Sequence, residues 1–290
     1  MSRVSESWPA PAKLNLFLHI IGRRADGYHL LQTVFQFLDY GDSLAFESRP
    51  GGQVSRAEGP RDLPEADDLC VRAARLLLQE TGLREGVRLR LRKRLPMGGG
   101  LGGGSSDAAT VLVALNALWR AGLTTDDLAQ LGLRLGADVP VFVHGFAAWA
   151  EGVGERLTPL PDLPVPWYAV VRPTVAIATA ELFADPKLTR DCVPLTIRDF
   201  LSGAGGNVFE PVARARYPAV AQVLDALSAY APARLTGTGA CVFAAFADEA
   251  SARDALRALP GEWSGFVARG CNTSPLQDRL RRMSVDEGAA

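Results

Sequence analysis

The sequence predicts an α+β protein in two lobes, and three observations predict it. A segment of alternating character, Val87, Leu89 and Leu91 against Arg88, Arg90 and Arg92, runs into a glycine-rich loop and then into a helix-patterned stretch. A proline cluster (Pro159, Pro161, Pro164, Pro166) marks a lobe boundary, dividing the chain into residues 1–160 and 161–290. Beyond it, segments near 234–243, 249–259 and 265–268 read strand, glycine turn, strand, helix, strand, a small sheet backed by helices. A chain of 290 residues is long for one core and comfortable for two lobes.

Composition narrows the functional classes. Lys and Arg number 31 against 32 Asp and Glu, a net charge of −1, so no basic field invites nucleic acid. No run approaches the length of a membrane span, and Met1 to Ser7 lacks the apolar core of a signal peptide, which points to a cytoplasmic protein. Cys70, Cys192, Cys241 and Cys271 stand singly, and His19, His29 and His144 form no H-x-x-x-H pair; neither a zinc site nor a disulfide framework is expected.

Along the chain, Ala12 to Ile20 alternates, with Lys13, Asn15, Phe17 and His19 sharing one face. That face reads equally well as an exposed strand surface or as a site. An Asp26-Gly27 turn leads to a run from Leu30 to Tyr40, and Gly41-Asp42 reads as a second turn before a short strand at 44–47. Residues 49–67 read as a surface loop, and 68–81 as a helix closed by Gly82. Thr124 to Asp127 reads as a capping box for a helix ending near 135–136, and a strand is expected at 146–150. Strands are expected at 167–171 and 175–177, helices at 179–183 and 219–230, and a frayed end from Gln277.

The stretch from Leu95 to Thr110 organises the rest. Gly98, Gly99, Gly100, Gly102, Gly103 and Gly104 precede a helix that begins near Ser105, and a glycine loop opening a helix presents N–H groups to an anion such as phosphate. A Walker A loop would place lysine where Ser105 stands. A dinucleotide fingerprint fits the glycines, but the alternating strand before them has a wet face, and no acid follows at the spacing of a ribose contact. Asp138 is the only charge between Leu135 and Val143, at a helix start with Pro140 in the first turn; it suits a cap and a fixed general base alike.

Three motifs then stand in order: Pro11-Ala12-Lys13-Leu14-Asn15-Leu16, the loop from Pro96 through Ser106, and Leu235-Thr236-Gly237-Thr238-Gly239-Ala240. With Arg24 to His29, Phe35 to Asp42, Gly136 to Phe142 and Ala150 to Glu155, the chain from Trp8 to Leu276 resembles the GHMP small-molecule kinases. The resemblance implies an N-terminal lobe like ribosomal protein S5 and a C-terminal ferredoxin-like lobe. It implies ATP with Mg²⁺, the nucleotide held by Pro96, Gly98, Gly99, Gly100, Leu101, Gly102, Gly103, Gly104, Ser105, Ser106 and Asp68, and phosphoryl transfer to an alcohol of a cytidine diphosphate substrate. Mevalonate- or homoserine-type phosphorylation is the alternative.

On the same resemblance Asp138 is the base and Lys13 its cationic neighbour, holding it ionised. Asn15, Tyr28, His29, Asp138, Thr179, Phe183, Gly237 and Thr238 hold the substrate. Ser105 or Ser106 is the first choice for Mg²⁺, and the protein is a monomer or weak homodimer. Asp68 stands where an asparagine is expected against adenine, His144 where a longer basic side chain is expected near the diphosphate, and Asp107 reads either as a cap of the helix start or as a group standing behind the phosphate contacts.

Overall fold

Strand β1 (Trp8–Arg23) pairs antiparallel with β2 (His29–Arg49), a ladder that carries the rest of the molecule. The computed structural model describes residues 5–60 and 62–288; most of the Met1 to Ser7 reading, and Arg61 within the expected 49–67 loop, fall outside them. Gly41-Asp42 is not a turn. β2 runs straight through it, because a Cβ on Gly41 would lie 2.2 Å from the Ala10 carbonyl oxygen; the glycine is there to let two strands meet closely.

Along its other edge β2 pairs in succession with β5 (Ala148–Gly152), β10 (Ser264–Cys271) and β4 (Gly86–Arg92). A strand β3 (Val54–Glu58) lies parallel to β4 inside the expected loop, and β6 (Arg156–Pro159) extends β5. The mostly polar Val54-Ser55-Arg56-Ala57-Glu58 has no apolar alternation to betray a strand. β10 continues into β7 (Trp167–Arg172), then β9 (Val242–Phe246) and β8 (Ala233–Leu235), so the sheet runs β3-β4-β2-β10-β7-β9-β8 with β1, β5 and β6 beside β2. Residues 175–177, expected as a strand, join no ladder.

Helices α1 (Leu69–Thr81) and α2 (Gly103–Leu118) pack together over the N-terminal part of the sheet. Gly82 ends α1, as the sequence predicts, and Asp68, expected as its first residue, caps it instead; the capping box of Thr124 and Asp127 opens α3 (Thr125–Leu133). The short α4 (Val139–His144) follows. Around the C-terminal strands lie α5 (Thr179–Ala184), α6 (Ile197–Leu201), α7 (Glu210–Arg216), α8 (Pro218–Ser228) and α9 (Glu249–Ala258). The end is not frayed from Gln277: α10 (Pro275–Gly288) returns to β1 and α2, burying Leu276.

One core joins Phe37, Leu44, Leu77, Leu89, Leu112 and Phe142 beneath α1 and α2; another joins Val171, Leu182, Phe209, Val223 and Val242. Each such side chain contributes about 1.5–3 kcal/mol of burial. A polar joint locks the proline-rich crossing to the sheet: Tyr168 Oη donates to Gln36 Oε1 (2.6 Å), and Gln36 Nε2 donates to the Pro164 carbonyl and to Asn272 Oδ1 (both 2.8 Å). Among the described residues no helix is long and apolar enough to cross a membrane.

Phe142 is fully buried, packs 5.6 Å from Phe37 and stands beneath Gly102 of the glycine loop. Phe142→Ala is expected to cost about 3–5 kcal/mol of unfolding free energy, read from the urea midpoint.

Candidate active site

The glycine loop forms a wall between two cavities. One, of about 410 Å³, is lined by Pro60, Leu63, residues 67–70, Leu91, Lys93, Asp107 and the loop; the other, of about 890 Å³, is lined by β1, β2, α5 and the 237–239 turn. Gly98, Gly100, Gly102 and Ser105 line both.

The wall is held from behind. The Gly98 and Gly99 carbonyls accept from the N–H groups of Ala240 (3.3 Å) and Cys241 (3.2 Å), and Leu101 O accepts from Lys13 N–H (3.0 Å). Gly100, at φ +74°, presses so closely on the 236–239 turn that a Cβ would lie 2.2 Å from Thr236 O. α2 begins at Gly103, two residues earlier than predicted, and its capping residue Gly102 supplies no side chain. The first-turn N–H groups of Gly103, Gly104 and Ser105 therefore lack helical acceptors, and the positive end of the macrodipole lies at the wall. Ser105 faces both cavities, whereas Ser106 is fully buried, its hydroxyl unpartnered, and lines neither.

Lys13 decides between the two readings of its strand face: it is buried, 3% exposed, against the larger cavity. Its ammonium donates to Asn15 Oδ1 (2.6 Å) and Gly100 O (3.3 Å) and pairs with Asp138 Oδ2 (3.3 Å). Those three acceptors match its three donors. Asp138 occupies the N-cap position of α4 but makes no capping bond; its carboxylate turns to Lys13 and the cavity instead. Asn15 is fixed by Nδ2 donating to Thr33 Oγ1 (2.9 Å) and by its N–H donating to Thr236 Oγ1 (3.1 Å). Thr33 carries no motif of its own and Thr236 stands in the 235–240 motif without having been singled out; only the strand pairing and the turn, both tertiary, bring them to Asn15.

The far end of this cavity gathers Tyr28, His29, Thr179 and Phe183. His29 stacks on Phe183 with centroids 5.0 Å apart, Tyr28 is 66% exposed, and the Thr179 and Thr238 hydroxyls are bonded at 2.9 Å beside Gly237. Burial, then the guanidinium charges of Arg190 and Arg23, pull the His29 imidazole below its usual 6.5. His144 lines neither cavity; it tilts on Phe146.

The smaller cavity holds the surprises. Asp68 lies at its edge, but both its oxygens are engaged: Oδ1 accepts from Cys70 N–H (2.8 Å) and Oδ2 from Arg56 (2.5 Å). Asp107 is not a cap. It is buried one turn into α2, paired with Lys93 (2.8 Å), which also pairs with Asp42; Asp42 in turn accepts from the N–H groups of Arg94 and Leu95 at the root of the loop. Desolvation, opposed by Lys93 and helped by Asp42, pushes the Asp107 carboxyl up to about 7, while the two carboxylates outweigh burial and raise Lys93. Lys93 passes in sequence for one more charge on a wet strand end; its break from the alternation of Arg88, Arg90 and Arg92 was the available signal. No group of three or more metal-ligating side chains gathers among the described residues.

Comparison with known proteins gives these results. The family model for the GHMP kinases N terminal domain matches residues 68–146, and that for GHMP kinases C terminal matches 195–265. The 4-diphosphocytidyl-2-C-methyl-D-erythritol kinase of Nitrosococcus oceani is 60% identical over 275 residues, covering 95% of this chain and 98% of the relative. A crystal structure of 4-(cytidine 5'-diphospho)-2C-methyl-D-erythritol kinase aligns with a TM-score of 0.78 at 34% identity, over 91% of this chain and 99% of that one. The mevalonate kinase of Methanococcus jannaschii aligns with a TM-score of 0.64 at 16% identity, over 94% and 99% of the two chains, a likeness of fold alone.

The state of Asp107 makes stability fall with alkalinity. Its carboxyl titrates higher in the folded than in the unfolded chain, so its contribution is complete below about pH 4 and is lost as pH rises through about 7. The melting temperature of the wild type is expected to fall, relative to Asp107→Asn, between those limits; parallel curves would contradict the raised carboxyl.

Proposed function

The chain belongs to the GHMP kinase family, and we propose that its two cavities and the ion pair between them phosphorylate the 2-hydroxyl of 4-diphosphocytidyl-2-C-methyl-D-erythritol, giving the 2-phosphate and ADP in isoprenoid precursor synthesis. It is an ATP-dependent small-molecule kinase, and relatives of this name align over nearly its whole length. The observation that carries the site assignment is the Lys13–Asp138 pair, set where the wall shared by both cavities meets the larger one. The mevalonate-type alternative has only the distant fold likeness behind it.

ATP occupies the smaller cavity, its phosphates on the loop from Pro96 to Ser105 and the start of α2. The acceptor fills the larger one, its cytosine in the slot of Tyr28, His29 and Phe183, its polyol by Asn15 and Asp138, with Thr179, Gly237 and Thr238 along the diphosphate. Asp138 takes the proton from the 2-hydroxyl, the oxygen bonds to the γ-phosphorus, and the bond to ADP breaks. Such a transfer is loose, so positioning and charge neutralisation supply most of its acceleration. Lys13 and the dipole of α2 offset the charge that gathers on the transferring group. Mg²⁺ would supply further neutralisation of the phosphate charge, and the Ser105 hydroxyl, which lines both cavities, rather than that of buried Ser106, would be the side chain to hold it.

The balanced charge supports action on a small molecule without nucleic acid, and the same reading has the protein work in the cytoplasm as a monomer or weak homodimer. The lobe boundary is set at 160–161, within the proline-rich crossing.

Two measurements test this reading, both by coupled ADP release. Asp138→Asn is expected to lower kcat by about 10²–10⁴-fold in a folded protein, the usual worth of a general base; near-normal turnover would remove Asp138 from that role. His29→Ala is expected to raise KM for the cytidylyl substrate and leave KM for ATP unchanged. Equal changes would place the nucleobase elsewhere.

A further inference from the structure

The slot formed by His29 and Phe183 is held by a side chain that does not line it. Arg190 reaches back from the segment after α5, with Nη1 donating to the Leu188 carbonyl (2.9 Å) and Nη2 donating to those of Phe183 (2.7 Å) and Asp185 (2.9 Å). A guanidinium is planar, with donors in a fixed fork, so a chain bound to it on three carbonyls is confined to one path. The Phe183 ring also packs edge-on against buried Phe209 at 4.8 Å, and Glu181 accepts from Tyr217 Oη (2.9 Å), but the backbone after α5 is held by Arg190. α5 spans six residues, buries only Leu182 among them, and receives no side-chain cap from Ala178. Below the clasp, Asp185 accepts from Lys187 N–H (2.8 Å) and Arg216 (3.1 Å), anchoring the segment to α7.

We propose that Arg190 is a positioning residue for the acceptor substrate: its clasp on the carbonyls of Phe183, Asp185 and Leu188 sets the Phe183 ring against His29 and so shapes the nucleobase slot. The inference rests on the reading of that slot as the cytidine site.

The guanidinium does a second thing from the same place. The charged groups facing His29 are Arg190 from beyond α5, Arg23 from the end of β1, and Asp26 from the intervening turn, where it is paired with Arg24 at 2.8 Å. Two cations beside a partly buried imidazole oppose its protonation, adding to the desolvation that is the larger cause. His29 Nε2 is buried without a partner. A neutral ring offers one donor and one acceptor, the pattern needed to read the edge of an uncharged pyrimidine; an imidazolium offers donors only. Arg190 thus couples the shape of the slot to the protonation state of its reader.

The test uses the full chain and coupled ADP release, varying the cytidylyl substrate and ATP separately across the range in which histidine titrates, about pH 5 to 8. Arg190→Met is expected to raise KM for the cytidylyl substrate about tenfold to a hundredfold, the scale of an ångström-level misplacement. KM for ATP should not change. The acid limb of kcat/KM for the cytidylyl substrate should move to higher pH, since His29 loses a repelling charge. Arg190→Lys keeps the charge and loses the fork: its KM should rise while its acid limb stays with the wild type. Should Arg190→Met not fold by circular dichroism, the Lys variant alone decides, an unchanged KM overturning the proposal. Equal rises in both KM values, or a Met variant with an unmoved acid limb, also overturn it. A wild type that ignores the cytidylyl substrate overturns the substrate assignment and this proposal with it. A wild type that accepts it, with unchanged KM in both variants, overturns this proposal alone.

Discussion

A lysine ammonium buried at 3% exposure must be paired or it would not stay charged, and much of the site follows from how Lys13 is paired. Its partners come from three places: Asn15 on its own strand, Gly100 in the glycine loop and Asp138 before α4. One cation therefore specifies where the loop lies relative to the sheet and which way Asp138 turns. The loop cannot answer by shifting, because Gly100 already touches the 236–239 turn and Gly102 already touches Phe142. The Coulombic constraint and the steric one meet at Gly100.

A half-buried cation, Lys93, does comparable work on the other side of the wall. It joins Asp42 of β2 to Asp107 of α2, while Asp42 receives the backbone of residues 94 and 95. The root of the loop is thus fixed to the long strand and the helix that it feeds. Two cations, each surrounded by carboxylate or carbonyl oxygen, hold the loop at its root and at its crest. Its glycines lend only backbone: the carbonyls of Gly98, Gly99 and Gly100 accept hydrogen bonds, and the missing side chains permit the close contacts around them.

How much of this was legible beforehand depended on the range of the interaction. Asp68, Gly82 and the Thr124–Asp127 box announce helix ends because capping is local. Lys13 and Asn15 could be placed on one strand face by period alone, but whether that face met water or a cavity could not, since the answer lies in β2 and the loop. Gly41-Asp42 carries a true local turn signal that tertiary need overrides: the glycine makes room for Ala10 and the aspartate receives a distant backbone. Residues 175–177 have strand composition without a partner strand, and α10 is too polar to show that it docks. Of the two readings of Asp107, cap or group behind the phosphate loop, the sequence cannot choose, because its partner Lys93 looks like an ordinary wet-face cation.

The shared wall has a kinetic meaning. The two cavities open to different sides of the glycine loop, one beside residues 67–70 and the other beside α5 and the 24–29 turn, and they have only loop residues in common. On the proposed reading, a nucleotide seated in one does not roof over the other, so neither ligand is expected to block the other's entry, and the loop is less a lid than a partition between donor and acceptor.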